Sequence, residues 1–134
     1  MEDIMIINDK IQFREGLKKI FEFKFGHLFR IVDTDSKKLS KYKDTPKLIV
    51  IERISNQVTE FILEMHKKGS KVVLLSFDPE NIQRSLELDI FNGFLLKNMP
   101  TRELLNVIEE IIDQDKVYVH PDIGYLLLQK LKDK

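Results

Sequence analysis

Four short runs of the chain, residues 4–7, 48–51, 72–75 and 93–96, are apolar at nearly every position. A strand without polar alternation must be covered on both faces, which is the condition of a parallel sheet sandwiched between helices. A fifth run, residues 28–32, is interrupted by Arg30 and suits a sheet edge. The segments between these runs carry helical periodicity. In residues 11–23 the side chains Phe13, Leu17, Ile20 and Phe21 recur at helical spacing, and in residues 57–68 Val58, Phe61, Ile62 and Met65 do the same. Gly69 stands where that second helix would take a left-handed cap. Asp78-Pro79 reads as an N-cap followed by proline in the first turn, with Ile82 and Leu86 facing inward. Residues 101–113 carry Leu104, Leu105, Ile108, Ile111 and Ile112, and residues 123–131 form a last helix. Residues 36–42 give the weakest helical signal, anchored by Leu39 and Tyr42 alone. This alternation predicts an α/β fold with a parallel sheet, right-handed crossovers and function at the carboxyl ends of the strands.

Those ends carry Asn8 and Asp9, then Glu52, then Ser76, then Lys97. Composition limits what they can do. The 134 residues make one ordinary domain, and lysine plus arginine equals aspartate plus glutamate at 22 each. That balance lacks the basic excess of a nucleic-acid binder, so no direct nucleic-acid contact is expected. There is no cysteine, which excludes disulfides, thiolate metal sites and thiol nucleophiles. The first residues are too few and too acidic for a secretory signal, and no apolar run is long enough to span a bilayer. The expectation is a soluble cytoplasmic protein with no membrane partner.

The strand-end constellation resembles the receiver domain of bacterial response regulators, most nearly the DegU-like members of the NarL/FixJ class. Phe13-Arg14-Glu15-Gly16-Leu17-Lys18 is similar to their first helix. Gly93-Phe94-Leu95-Leu96-Lys97 is similar to their Gly-Tyr-Leu-Leu-Lys strand, and Val117-Tyr118-Val119-His120-Pro121 to the segment after their fifth helix. The resemblance spans nearly the whole chain and is loosest in the middle. It implies a flavodoxin-like (CheY-like), doubly wound, five-stranded sheet in the order 2-1-3-4-5, with an extra C-terminal helix. Residues 1–116 would be the receiver-like domain and residues 117–134 an extension, where a linker begins in the family.

In working receivers two acids after the first strand hold magnesium, and an aspartate after the third accepts a phosphoryl group. A hydroxyl and a lysine after the fourth and fifth strands contact that group, and an aromatic residue on the fifth strand turns inward. Carried over, Glu52 stands at the phosphoacceptor position, Asn8 and Asp9 at the acidic metal pocket, and Ser76, Phe94 and Lys97 at the switch. Three departures weaken this set. Asn8 lacks the charge that holds magnesium. Glu52 is one methylene longer than aspartate, which displaces its carboxylate by about 1.5 Å, a shift to which in-line transfer is sensitive. The Arg53-Ile54-Ser55-Asn56 loop is short and lacks the family's Met-Pro segment and glycine; in the family this loop lends a backbone carbonyl to the metal. The resemblance therefore implies an atypical receiver with a degenerate phosphorylation site, no catalytic residue and no cofactor beyond weak magnesium at Asp9 and Glu52. Lys97 is expected to bridge to Glu52, and Glu52 is a candidate mimic of the phosphorylated acid, with less charge than a phosphoryl group.

The plainer reading of Asp9 and Glu52 is two exposed acids at strand ends; Ser76, Phe94 and Lys97 at the matching ends favour the relic pocket. His27, His66 and His120 lack metal-ligand spacing, and His66 suits the negative end of its helix. Lys37, Lys38, Lys41 and Lys43 read as a solvated face before a nucleic-acid contact. Phe21, Phe23, Phe25 and Phe29 cannot all face inward from one helix, so one or two should be exposed.

The leading expectation is a signalling module, not an enzyme, that works by protein–protein contact independently of phosphorylation. It would pair with itself or dock on a partner through the face of the helices at residues 11–23 and 101–113, or through the face of the helix after Asp78, the strand at residues 93–96 and the helix at residues 101–113. The rival is the regulatory receiver half of a two-component transcription regulator whose helix-turn-helix domain lies outside this chain. A flavin or nucleotide carrier on the same fold is disfavoured, because Asn8-Asp9-Lys10-Ile11-Gln12 has no glycine to cradle a phosphate.

Overall fold

The computed structural model describes residues 1–76, 78–114 and 116–132. The chain runs β1 (Asp3–Ile7), α1 (Ile11–Phe25), β2 (Arg30–Thr34), a 3-10 turn (Leu39–Lys41), β3 (Leu48–Ile51) and α2 (Asn56–Lys67). It continues through β4 (Lys71–Leu75), α3 (Pro79–Leu88), β5 (Gly93–Leu95), α4 (Thr101–Asp113), β6 (Tyr118–Val119) and α5 (Pro121–Lys132). The strands form one parallel sheet in the order β2-β1-β3-β4-β5-β6.

The continuous apolar runs are buried on both faces, as their pattern requires. Ile4, Ile6, Leu48, Val50, Val73 and Leu75 point to a core closed by α1 and α4. Met5, Ile7, Ile49, Ile51, Val72 and Leu74 point to a second core closed by α2 and α3, with Ile123 of α5. Local signals set the helix ends. Ser55 caps α2 by accepting the Val58 N–H, and Gly69, at φ 106°, turns the chain out of the last turn. Asp78 caps α3 by accepting the Glu80 N–H, with Pro79 at the first position.

Three expectations are corrected. The sheet has six strands where five were expected. The sixth is two residues long, too short for any pattern to announce it, and is captured by the open edge of β5: Tyr118 N–H donates to the Asn92 carbonyl and His120 N–H to that of Phe94. The helix expected over residues 36–42 is a single 3-10 turn. Polar side chains take the backbone N–H groups first, since Asp9 accepts from Ser36 N and Asp35 from Lys37 N. The edge strand begins at Arg30 and not at residue 28, because Leu28 and Phe29 are still bonded to the Phe25 carbonyl at the end of α1.

Of the clustered phenylalanines, Phe21 and Phe25 are buried and meet edge to face at 5.7 Å, while Phe23 is 90% exposed. Among the described residues no helix is long and apolar enough to cross a membrane.

Candidate functional site

Register assembles the site. Ile7 lies beside Ile51 in β1 and β3, so the next residues, Asn8 and Glu52, meet across the pair. Leu75 lies beside Leu95, which brings Ser76 and the turn bearing Lys97 to the same end of the sheet. Asn8, Glu52 and Ser76, with the turns before α1, α2 and α3, surround an open cleft of about 280 Å³.

Both oxygens of the Glu52 carboxylate are taken by protein donors. The Asn8 side-chain amide donates to Oε1 at 2.8 Å, and the Lys97 ammonium donates to Oε2 at 2.9 Å. The bridge expected between Lys97 and Glu52 is therefore present. Burial alone would raise the Glu52 pKa, but the bonds from Lys97 and Asn8 outweigh it and hold the carboxyl below its ordinary value. Lys97 also lies over the ring of Phe13, 4.3 Å from its centroid, a cation–π contact on the side away from Glu52.

The neighbouring groups are equally committed. Asn8 accepts the Lys10 N–H through Oδ1 at 2.8 Å, which orients its amide nitrogen toward Glu52. The Asn8 carbonyl accepts from Arg14, whose guanidinium is held by Asp33 at 3.0 Å. Asp9 accepts from the N–H and hydroxyl of Ser36 at 2.8–3.1 Å. Ser76 is buried, and its hydroxyl accepts the Asp78 N–H at 3.1 Å at the start of α3. Phe94 is turned inward, 6% exposed, with its ring 5.8 Å from that of Phe91. In the loop after Glu52 the Ile54 carbonyl accepts from Arg84 at 3.2 Å.

Sequence reading reached Asn8, Asp9, Glu52, Ser76, Phe94 and Lys97, which all lie at or beside this end of the sheet. It missed Phe13, Arg14 and Ser36, which contact Lys97, Asn8 and Asp9, and Asn81 and Arg84, which hold Ile54 in the loop after Glu52. Only Arg14 carried a legible signal, as the one arginine on the inward side of α1; the others depend on tertiary approach.

No family model and no curated protein matches the sequence. Solved structures do. A LuxR-family DNA-binding response regulator from Silicibacter pomeroyi superposes with a TM-score of 0.72 at 20% identity, over 91% of this chain and 99% of that one. The fold is that of a receiver domain. The isolated receiver domain of RcsB from Salmonella enterica serovar Typhimurium, solved with a phosphomimetic, agrees at a TM-score of 0.68 and 16% identity, over 93% and 97% of the two chains. Against the response regulator ChrA of a heme-sensing two-component system the score is 0.69 at 18% identity, and 97% of this chain spans 65% of ChrA. The CheY-like architecture expected from the sequence is thus the architecture found, with one strand more.

Proposed function

We propose that this chain is an atypical receiver domain that signals by protein–protein contact, without phosphoryl control and without catalysis, in the cytoplasm. The observation that carries the reading is the occupied carboxylate of Glu52. A phosphoacceptor must present a free oxygen to the incoming phosphorus, and a magnesium site needs unshared oxygens in near-octahedral array. Here Asn8 and Lys97 use both Glu52 oxygens, Ser36 uses those of Asp9, and Arg84 uses the Ile54 carbonyl of the loop. That every one of these oxygens already has a protein donor supports a pocket organised for internal bonds and not for a metal and a phosphoryl group. The inward Phe94 beside the Lys97–Glu52 bridge fits a domain held in one state.

Titration with magnesium and beryllofluoride, read by amide NMR, is expected to leave the resonances of Asp9, Glu52, Ser76 and Lys97 in place. Shifts there, accompanied by Phe94 and α3, would show that the pocket still switches, and the reading would fall.

The favoured contact surface is the α1–α4 face, and the partner is a second copy of the chain. Phe23 projects from it almost fully exposed beside Ile20 and Leu105, and the surrounding charges are of both signs. Lys19 and Arg102 flank it, with Lys24 and Glu109 already 3.7 Å apart across α1 and α4. A face with both signs can satisfy itself across a two-fold axis. Phe23→Asp is expected to weaken self-association at least about 30-fold, the loss of one aromatic anchor of roughly 2 kcal/mol. Sedimentation over a concentration series reads it. A wild-type chain that stays monomeric at high concentration would remove the dimer from the proposal.

A second reading, the regulatory part of a two-component DNA-binding regulator, is favoured by the fraction of ChrA that the chain spans. A reading frame that continues past Lys134 into a helix-turn-helix would establish it.

A further inference from the structure

α3 is the most weakly buried of the first four helices. Its buried residues are Ile82 and Ser85, against Leu17, Phe21 and Phe25 in α1, four side chains in α2 and six in α4. Ser85 adds no apolar anchor, since its hydroxyl donates back to the Ile82 carbonyl at 2.6 Å. Leu88 packs only partly against the same core as Ile82, and Leu86, expected to face inward, is 39% exposed. That is a poor apolar hold on a ten-residue helix, and such elements open locally at low free energy.

Polar contacts supply the rest, and they converge on the backbone of one residue. The Ile54 N–H donates to Asn81 Oδ1 at 3.2 Å, and the Ile54 carbonyl accepts from Arg84 Nη1 at 3.2 Å. Asn81 and Arg84 are three residues apart, hence on one face of α3. Each is oriented by a second bond: Asn81 donates to the capping Asp78 at 3.3 Å, and Arg84 uses its other nitrogen on Glu80 at 3.3 Å. The Ile54 side chain is itself buried, in the same cluster as Ile82 and Val58. Both backbone groups of Ile54 are thus held by α3, and Ile54 lies two residues beyond Glu52, whose carboxylate is fixed by Asn8 and Lys97.

We infer that Asn81 and Arg84 are positioning residues that latch α3 onto the Ile54 backbone, and that the latch couples the placement of α3 to the Glu52 network. The coupling goes beyond the loss of phosphoryl control, because it holds whatever the cleft binds. Any partner that reads α3 meets one fixed orientation while Glu52 stays anchored, and a loosened helix when it does not.

The test is amide hydrogen exchange followed by NMR on the full chain. Compared are wild type, Asn81→Ala/Arg84→Ala, Glu52→Ala, the triple variant and Glu80→Gln. In Asn81→Ala/Arg84→Ala the amides of residues 82–88 are expected to exchange at least about tenfold faster, while those of β1 and β3 change less than about twofold. Glu52→Ala should speed the same α3 amides, and adding it to the latch variant should change them no further. Glu80→Gln, which removes the charge of Arg84's exposed partner but keeps an oxygen to accept its bond and spares Ile54, should leave them as in wild type. The strand amides, read in the same spectra, distinguish a loosened helix from a chain that fails to fold; if the double variant does not fold, Arg84→Ala alone is read against Glu80→Gln. The inference is overturned if α3 exchange in the latch variant stays within about twofold of wild type, or if the effects of Glu52→Ala and the latch variant simply multiply.

Discussion

Asp3→Ala is expected to lower the stability of the domain by about 2–4 kcal/mol, the range for losing several hydrogen bonds to a buried charged group. For a chain of this length that is a fall of roughly 10 °C in the melting temperature. Asp3 opens β1 and is 3% exposed, an ionisable group where the pattern calls for an apolar one. Its carboxylate takes both arms of Arg30, at 2.8 and 2.7 Å, and the Tyr42 hydroxyl at 2.6 Å. Burial would raise the Asp3 pKa, but Arg30 and Tyr42 more than offset it and hold the group below its ordinary value. Tyr42 is pushed up in turn, by burial and by the carboxylate it donates to. The pair therefore ties the edge strand β2 and the segment after the 3-10 turn to the start of β1. Thermal melts of Asp3→Ala and Asp3→Asn check the expectation; a loss below about 1 kcal/mol for Asp3→Ala would show that Arg30 and Tyr42 find equivalent partners in water.

Asp3 also marks where the sequence stops being legible. The strands β1, β3 and β4 could be read because every position is apolar save Asp3 and Lys71 at the starts of β1 and β4, a pattern that few arrangements other than a doubly covered parallel strand tolerate. The strand ends could be read because a parallel sheet places its functional groups there. What could not be read depends on distance in space. Asp3, Arg30 and Tyr42 are separated by up to 39 residues, and Tyr42 lies in a segment whose spacing suggested a helix. The segment forms a single turn because Asp9 and Asp35 capture its N–H groups, a competition visible only once β1 and β2 are side by side. β6 was hidden for a simpler reason: two residues carry no period, and their strand character comes from the unfilled edge of β5. The same limit applies at the site. Asn8, Glu52 and Lys97 could be placed together, but that Asn8 would donate to Glu52 follows from the Lys10 N–H fixing its amide, a contact two residues away and invisible to pattern.

The Lys97–Glu52 bridge yields the second large effect, and its size changes with pH. The side chains are 16% and 21% exposed, so the pair is screened far less than a surface bridge. Lys97→Met should cost about 1–3 kcal/mol at neutral pH, because Glu52 keeps its burial and loses its strongest donor. Glu52→Gln should cost a comparable amount, while in the Glu52→Gln background Lys97→Met should cost little, leaving a coupling of roughly 1–2 kcal/mol. In the wild type the Glu52 pKa is depressed from its reference value of 4.5. Its contribution is therefore present above the unfolded value and is lost as pH falls through the folded one. In Lys97→Met the burial is opposed only by Asn8 and the charge of Lys10, so the carboxyl should titrate higher than in wild type and its ionisation should contribute less stability. The stability gap between wild type and Lys97→Met should accordingly be small in acid, where Glu52 is protonated in both, and widen as pH rises toward neutrality. Urea melts across that range give the gap directly, and carboxyl-carbon NMR gives the Glu52 titration. A gap independent of pH would mean that Lys97 stabilises the fold through its stacking on Phe13 and its alkyl chain, with the bridge adding nothing. A Glu52 that titrates no higher in Lys97→Met would assign its depressed pKa to Asn8 and Lys10.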